Sequence, residues 1–423
     1  MNSIFLIILA VYLLFAGVRY WLRYLNLSYL KAHGSTVPPE FQGAVDPVLL
    51  RRISEYTFEN SRVSILESGV NDLILVVFLF GGLLGHYDRW IASWTGSFIP
   101  AGLLFSLVLL AAGKVIDTPF SLYHHFKIEN RYGFNTMSFR LWLADLVKST
   151  AISVLLGGIV VAAALAIVAA SPAWWWLWVW AFFLVFGVFM MYISPYVIEP
   201  LFFKFEPVKS EGLEERIRGL MEKAGLRISR VFQVDASRRS RHSNAYFTGI
   251  GRVKRIVLFD TLIRQMTQDE ILAVLAHEVG HWKKHHVLKR IVLAEATALA
   301  GLFVSFHLIQ WEGLPALVGL QDGSFYARVM IVLFLSSLVT FPFTPLSSFF
   351  SRRHEREADR FAVELTGAAD AMATALVKLS RENLSNLHPH PLYAAFYYSH
   401  PPVVERIRHL RQFGNAVTAE SNS

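Results

Sequence analysis

Seven stretches of this chain are long and apolar enough to cross about 30 Å of hydrocarbon as helices: residues 3–22, 68–88, 99–119, 147–170, 174–197, 291–311 and 327–347. Hydrocarbon offers no partner to a free N–H or C=O, so each span must close its own backbone hydrogen bonds. The composition agrees, with 54% of residues hydrophobic and only 17% charged. The first stretch is read as a retained span and not a secretory leader. Met1 to Ser3 carries no positive charge, no A-x-A site follows, and the apolar run continues through Tyr20 and Trp21.

The formal charge of +8 belongs to membrane-flanking Lys and Arg and not to a nucleic-acid surface. Arg23, Lys31, Arg51, Arg52 and Arg62 follow the first span, and Lys127, Arg131 and Arg140 follow the third. The loop Ser171-Pro172-Ala173 and the loop 312–326 carry no basic residue. This asymmetry predicts an outside N-terminus, a cytosolic C-terminus, and an outer aromatic belt at Trp174, Trp175, Trp176 and Trp178. The polar blocks 198–290 and 348–423 then both lie in the cytosol, and the tail after Gly414 reads as disordered.

Cysteine is absent, so a transition-metal site has to use histidines and carboxylates. Thr267 to Trp282 reads as a helix. Thr267 with Glu270 forms a capping box, and Ile271, Leu272, Val274, Leu275 and Val279 form an apolar face. On it, His277 and His281 project from one side a turn apart and can hold one ion. Glu278 stands beside them as a base for an attacking water. The bland alternative is an amphipathic helix with two exposed histidines.

That motif cannot complete its own site. His285 lies about 12 Å of rise from His277, whereas zinc–ligand bonds are about 2.1 Å. Lys284 and Val287 stand where the extended HExxHxxGxxH pattern needs glycine and histidine. The third ligand must come from a second helix, and Ser347 to Leu365, closed by Gly367, is the candidate. There Glu355 can ligate zinc, and Asp359, four residues on, can orient a ligand imidazole. The bland alternative is a solvated, salt-bridged helix. Both helices adjoin the cytosolic ends of one transmembrane hairpin, which places a shared ion within about 15 Å of the bilayer. If the first helix continues into the sixth span, Glu295 shares the face of His281, and with His307 it marks a polar cavity below the ion.

HEVGH at 277–281 and SRRHEREADRFA at 351–362 resemble the type I CAAX prenyl protease family, integral-membrane zinc peptidases of the gluzincin kind. SLYHHFKIENRYGFN at 121–135, IEPLFFKFEPV at 198–208, SRRSRHSNAYFTG at 237–249, KRIVLFDTLI at 254–263 and SHPPVVERI at 399–407 extend the resemblance over nearly the whole chain. It implies a mainly α membrane protein, with seven transmembrane helices around an intramembrane chamber and a cytosolic zincin-like α+β catalytic domain. It also implies a membrane region of five helices over 1–197 and a metallopeptidase domain over 198–423, interrupted by the spans at about 291–311 and 327–347.

By the same resemblance one zinc ion sits on His277, His281 and Glu355, Glu278 is the general base, and Asp359 is the carboxylate behind a ligand. Asn244, His400 and Arg406 assist at the scissile peptide. Asn244 opens a strand whose edge can pair with an extended peptide. The expected partners are a peptide or protein substrate, prenylated or membrane-embedded, and the lipid bilayer. Short loops, and a C-terminus Glu420-Ser421-Asn422-Ser423 without an ER-retention signal, favour a bacterial inner membrane, or the ER membrane in a eukaryote. The alternatives are a membrane-protein quality-control peptidase and a zinc-regulated transporter.

Overall fold

The computed structural model describes residues 3–248 and 253–421; Gly249, within one of the sequence blocks above, and Asn422 and Ser423 lie outside the described residues. The membrane half comprises α1 (Ser3–His33), α2 (Pro47–Phe80), α3 (Leu83–Trp94), α4 (Phe98–Tyr123), α5 (Phe139–Ala170) and α6 (Trp175–Val197). The C-terminal half follows as β1 (Phe205–Pro207), α7 (Leu213–Lys223), β2 (Arg227–Val234), β3 (Ala245–Thr248) and β4 (Val253–Phe259). Next come α8 (Asp260–Gln265), α9 (Gln268–Lys283), α10 (His286–Gln310), α11 (Phe325–Thr340) and α12 (Thr344–Thr366). The chain ends with α13 (Ala369–Glu382), α14 (Pro391–Tyr397) and α15 (Val403–Ser421).

Seven helical rods have membrane-spanning length and apolarity, as the hydropathy pattern predicted. The second differs from its expected bounds: α2 ends at Phe80, and Gly82 at φ +81° turns the chain into the separate helix α3. The seventh rod continues through a 3-10 turn into α12, so one helical column of 42 residues, Phe325–Thr366, leads from the membrane-spanning region to the sheet-bearing region. The tail also differs, because α15 runs through Gly414 to Ser421 and is not disordered.

These helices do not form a filled bundle. None of the residues in the most apolar window of α10 is buried, and only 6% are buried in those of α2, α5 and α6. Helices so poorly covered face lipid or open space over most of their surface. Apolar cavities of about 530 and 850 Å³ lie among them. Where α1 meets α2, Asp72 accepts hydrogen bonds from Tyr12 (2.7 Å), Tyr20 (2.7 Å) and Arg19 (2.8 Å), so this intramembrane carboxylate is fully partnered.

The C-terminal half is built on a four-stranded sheet in the order β1-β2-β4-β3. β2 and β4 are parallel, the outer pairings are antiparallel, and β3 is an edge. Ile217, Met221, Val231, Ile256 and Leu258 pack its face against Leu275 and Val279 of α9. A second core joins the two halves, with Phe41, Leu50, Ile53, Ile128 and Phe134 packed against Ala273, Met372, Leu376 and Ile407. The capping box expected at Thr267 and Glu270 starts α9. Its other end differs from the expected continuation. His285 adopts the left-handed conformation at φ +56° and α10 restarts at His286, so Glu295 does not extend the face of His281.

α9 and α12 cross at Gly280. A Cβ there would lie 2.9 Å from Ala358 Cα and 3.1 Å from its carbonyl oxygen, both backbone atoms that cannot move aside. Gly280→Ala therefore pushes the two helices apart, and overpacking of this kind costs about 1–3 kcal/mol. We predict a lowered unfolding temperature together with weakened metal retention, measured by thermal melts and chelator competition; unchanged values in both would refute the close-contact argument.

Candidate metal centre

The crossing at Gly280 sets the ligand atoms. His277 Nε2 lies 3.2 Å from His281 Nε2 and 3.4 Å from Glu355 Oε2, and His281 Nε2 lies 3.3 Å from Glu355 Oε1. Tetrahedral bonds of about 2.0–2.1 Å put neighbouring ligand atoms about 3.3–3.4 Å apart. Glu355 Oε2 is buried without a hydrogen-bond partner, and all three side chains offer one ligand atom within 4.8 Å of one another. A buried, orphaned carboxylate oxygen facing two imidazole nitrogens fits a cation. Burial opposes charging His277, yet Asp359 and Glu355 outweigh it and raise its pKa to about 9.

Each imidazole is held from behind. His277 Nδ1 makes an oblique 2.8 Å contact with Asp359 Oδ1. Arg406 forks onto the same carboxylate, Nε donating to Oδ2 (2.9 Å) and Nη2 to Oδ1 (2.6 Å), while Nη1 stands 3.7 Å from Glu355 Oε2. Burial works against the Arg406 charge, but Asp359, Glu355 and Glu278 hold its pKa above the ordinary value.

His281 has a support that the sequence spacing did not reveal. His286 is 1% exposed and places Nδ1 3.1 Å from His281 Nδ1. Its Nε2 meets Glu357 Oε2 at 3.0 Å, and its ring stacks on His354 at 4.1 Å. In the tautomer that frees His281 Nε2 for a metal, His281 donates to His286 and His286 donates to Glu357. The only advance signal was the charged run Glu355-Arg356-Glu357-Ala358-Asp359, on a segment whose bland reading was a solvated, salt-bridged helix. The left-handed turn at His285 is what folds His286 back.

The remaining expected residues surround this cluster. Glu278 is half-buried on α9. His400 is exposed at the mouth, with Nε2 3.3 Å from Glu355 Oε1 and Nδ1 2.9 Å from the Ser399 hydroxyl. Asn244 is exposed at the start of β3, which packs against α9. Its Oδ1 accepts the Ala245 N–H at 2.8 Å, which leaves the side-chain NH2 as the donor on offer. Glu295 and His307 stand apart from this cluster. The Glu295 carbonyl accepts the Trp180 indole N–H at 3.1 Å, and the exposed His307 ring lies against Phe303 and Phe306.

Comparison with known proteins bears on this geometry. A family model described as CAAX prenyl protease N-terminal, five membrane helices, matches residues 26–204, and one for peptidase family M48 matches residues 207–413. A CAAX prenyl protease 1 homolog of Arabidopsis thaliana is 36% identical over 407 residues, covering 91% of this chain and 93% of the relative. The chain belongs to the CAAX prenyl protease 1 family within peptidase family M48. CAAX prenyl protease 1 of Saccharomyces cerevisiae is 31% identical, covering 90% of this chain and 89% of its own. The crystal structure of S. mikatae Ste24p matches with a TM-score of 0.90 at 28% identity, over 97% of this chain and 99% of that one.

This member of the CAAX prenyl protease 1 family is thus an integral-membrane metalloprotease, with seven membrane helices around an intramembrane chamber and a small-sheet catalytic unit. The transporter and quality-control alternatives are not favoured. Outer contacts of a ligand histidine are worth about 10–100-fold in metal affinity. We predict that His286→Ala weakens metal binding by that factor in chelator competition, while His286→Gln, which keeps an acceptor for His281, recovers most of it.

Proposed function

We propose that the ion is zinc, one per chain, held by His277, His281 and Glu355, and that the protein cleaves extended peptides presented at the cytosolic membrane face. The observation that carries this reading is the 3.2–3.4 Å spacing of the three ligand atoms, with Glu278 on the same helix. Two imidazoles and one carboxylate, without cysteine, form a donor set suited to catalytic zinc.

When bound, the ion supplies Lewis acidity to a water and to the scissile carbonyl. Glu278 takes the proton of the attacking water and delivers it to the leaving nitrogen as the C–N bond breaks. His400, at the open mouth, offers Nε2–H to the oxygen on which charge develops. Arg406 keeps Asp359 behind His277 and leaves Nη1 facing the site. The free edge of β3 takes the peptide as an added strand, with the Asn244 NH2 donating to it. The names of the matched relatives support a prenylated C-terminal peptide as substrate. We place the membrane region at 1–197 and the catalytic region at 198–423, a division supported by family-model limits at 204 and 207.

The test is mass spectrometry of products from prenylated peptides, their unprenylated counterparts and unmodified helix peptides. Cleavage of the prenylated peptides in preference to the others is expected. Glu278→Gln should keep its zinc and lose about 10²–10⁴-fold in activity. Substantial turnover by that variant, or equal cleavage of all peptides, would sink the base assignment or the substrate reading respectively.

The basic loops support an outside N-terminus and a cytosolic catalytic half. Because the chain has no cysteine, single introduced cysteines report topology without background. Ala173→Cys should react with a membrane-impermeant maleimide in intact cells, and Glu211→Cys only after lysis. The reverse pattern would invert the orientation.

A further inference from the structure

A second ionic cluster lies away from the metal, built on Glu129 and His242 of the sequence blocks at 121–135 and 237–249, two side chains that the mechanism leaves unused. Its centre is Glu129, 6% exposed, at the end of the π-helical turn His124–Glu129 that extends α4. A π turn carries an extra residue and re-aims the side chains after it; such turns concentrate at functional sites. The Tyr56 hydroxyl donates to Glu129 Oε1 at 2.7 Å. His242 Nε2 meets Glu129 Oε2 at 3.1 Å, and His242 Nδ1 meets Asn383 Oδ1 at 2.8 Å. Both ring nitrogens therefore face oxygen atoms, an arrangement suited to the imidazolium, which donates from each. Its ring stacks on Phe134 at 4.2 Å and 22°. Burial disfavours the His242 charge, but Glu129 and Asn383 overcome it and raise its pKa.

This cluster joins four parts of the chain: α2 through Tyr56, the end of α4, the end of α13, and the segment two residues before Asn244. Every link onward from His242 is local and hydrogen-bonded. Its carbonyl accepts from Thr261 Oγ1 at 2.9 Å, Ser243 Oγ donates to Gln265 Oε1, and the Phe259 N–H donates to the Asn244 carbonyl at 3.0 Å. The same loop is stitched to the membrane half by the Asn135–Ser240 bridge and by the Arg241 N–H on the Phe134 carbonyl at 3.0 Å. A buried ion pair is weak evidence for stability, since well-packed apolar residues often serve as well. What it adds is a directional constraint between elements that apolar packing alone leaves free to slide.

We propose that the Glu129–His242 ion pair is a positioning device for catalysis, clamping Asn244 and the edge strand β3 to the end of a membrane helix so that the peptide is held in register with the metal. This rests on the reading of β3 and Asn244 as the peptide-binding edge. Neither Glu129 nor His242 touches the substrate; both act through Asn244.

The test is a double-mutant cycle on the full-length protein with an extended peptide substrate, with kcat, KM and zinc stoichiometry measured for each variant. Glu129→Gln and His242→Gln should each lower kcat/KM about tenfold, mainly through KM, with one zinc retained, because misplacement of a substrate-positioning group is costly even far from the chemistry. In an Asn244→Ala background the same substitutions should change kcat/KM by less than about twofold, because the group they position is gone. Should Glu129→Gln fold poorly, His242→Gln, whose side chain is 37% exposed, still reads out the coupling. Equal losses in both backgrounds, or losses that track zinc content, would make the pair a structural brace and overturn the proposal. An Asn244→Ala variant with unaltered kcat/KM, beside a wild type that cleaves, would remove its premise and overturn it too, while leaving the protease reading intact.

Discussion

The close crossing of α9 over α12 is the contact on which the site depends. Gly280 admits the Ala358 backbone to a distance that no other side chain permits. Because Gly280 sits between His277 and His281, and Ala358 between Glu355 and Asp359, the crossing point lies inside both motifs. The ligands meet because the helices touch there. A bulkier crossing would separate two imidazoles from a carboxylate by more than a metal bond tolerates.

Around that crossing the charges are arranged in series. Arg406 forks onto Asp359, Asp359 stands behind His277, and Glu357 stands behind His286, which stands behind His281. Each imidazole is fixed at its outer nitrogen, so its inner nitrogen is free to act as a ligand. Buried carboxylates at this density are expensive unless matched by positive charge. Arg406 supplies one positive charge, and a metal ion held by the three ligand atoms would supply more. Glu129 and His242 repeat the pattern further out, which gives this half of the protein two ionic anchors joined by the sheet edge and the shared core of Phe41, Ile128 and Met372.

Much of this was legible in the sequence, and the reasons differ by element. The seven spans were readable because hydrocarbon imposes length and apolarity locally. The capped start of α9 at Thr267 and the Gly367 cap of α12 were readable because caps are made by neighbours in the chain. The break at Gly82 was missed because a hydropathy average runs across it. The left-handed turn at His285 was missed because a histidine carries no signal of positive φ. With that turn the role of His286 was lost as well, since its partner Glu357 is 71 positions away.

What the sequence determined by itself was chemistry of short range: a membrane as solvent, a metal site without thiolates, and two histidines and a base on one helix. It also limited the third ligand to another helix, because the rise of an α-helix exceeds the reach of a metal bond. Only the tertiary structure decided the rest. It brought Glu355 within 3.4 Å of His277, put Asn244 at the start of a strand that is an edge among the described residues, and paired the buried Glu129 with His242 and the half-buried Glu357 with His286. Those outcomes depend on how helices far apart in sequence cross and on which strand stands at the edge of the sheet. The motif at 277–281 named the chemistry, and the crossing at Gly280 made it a site.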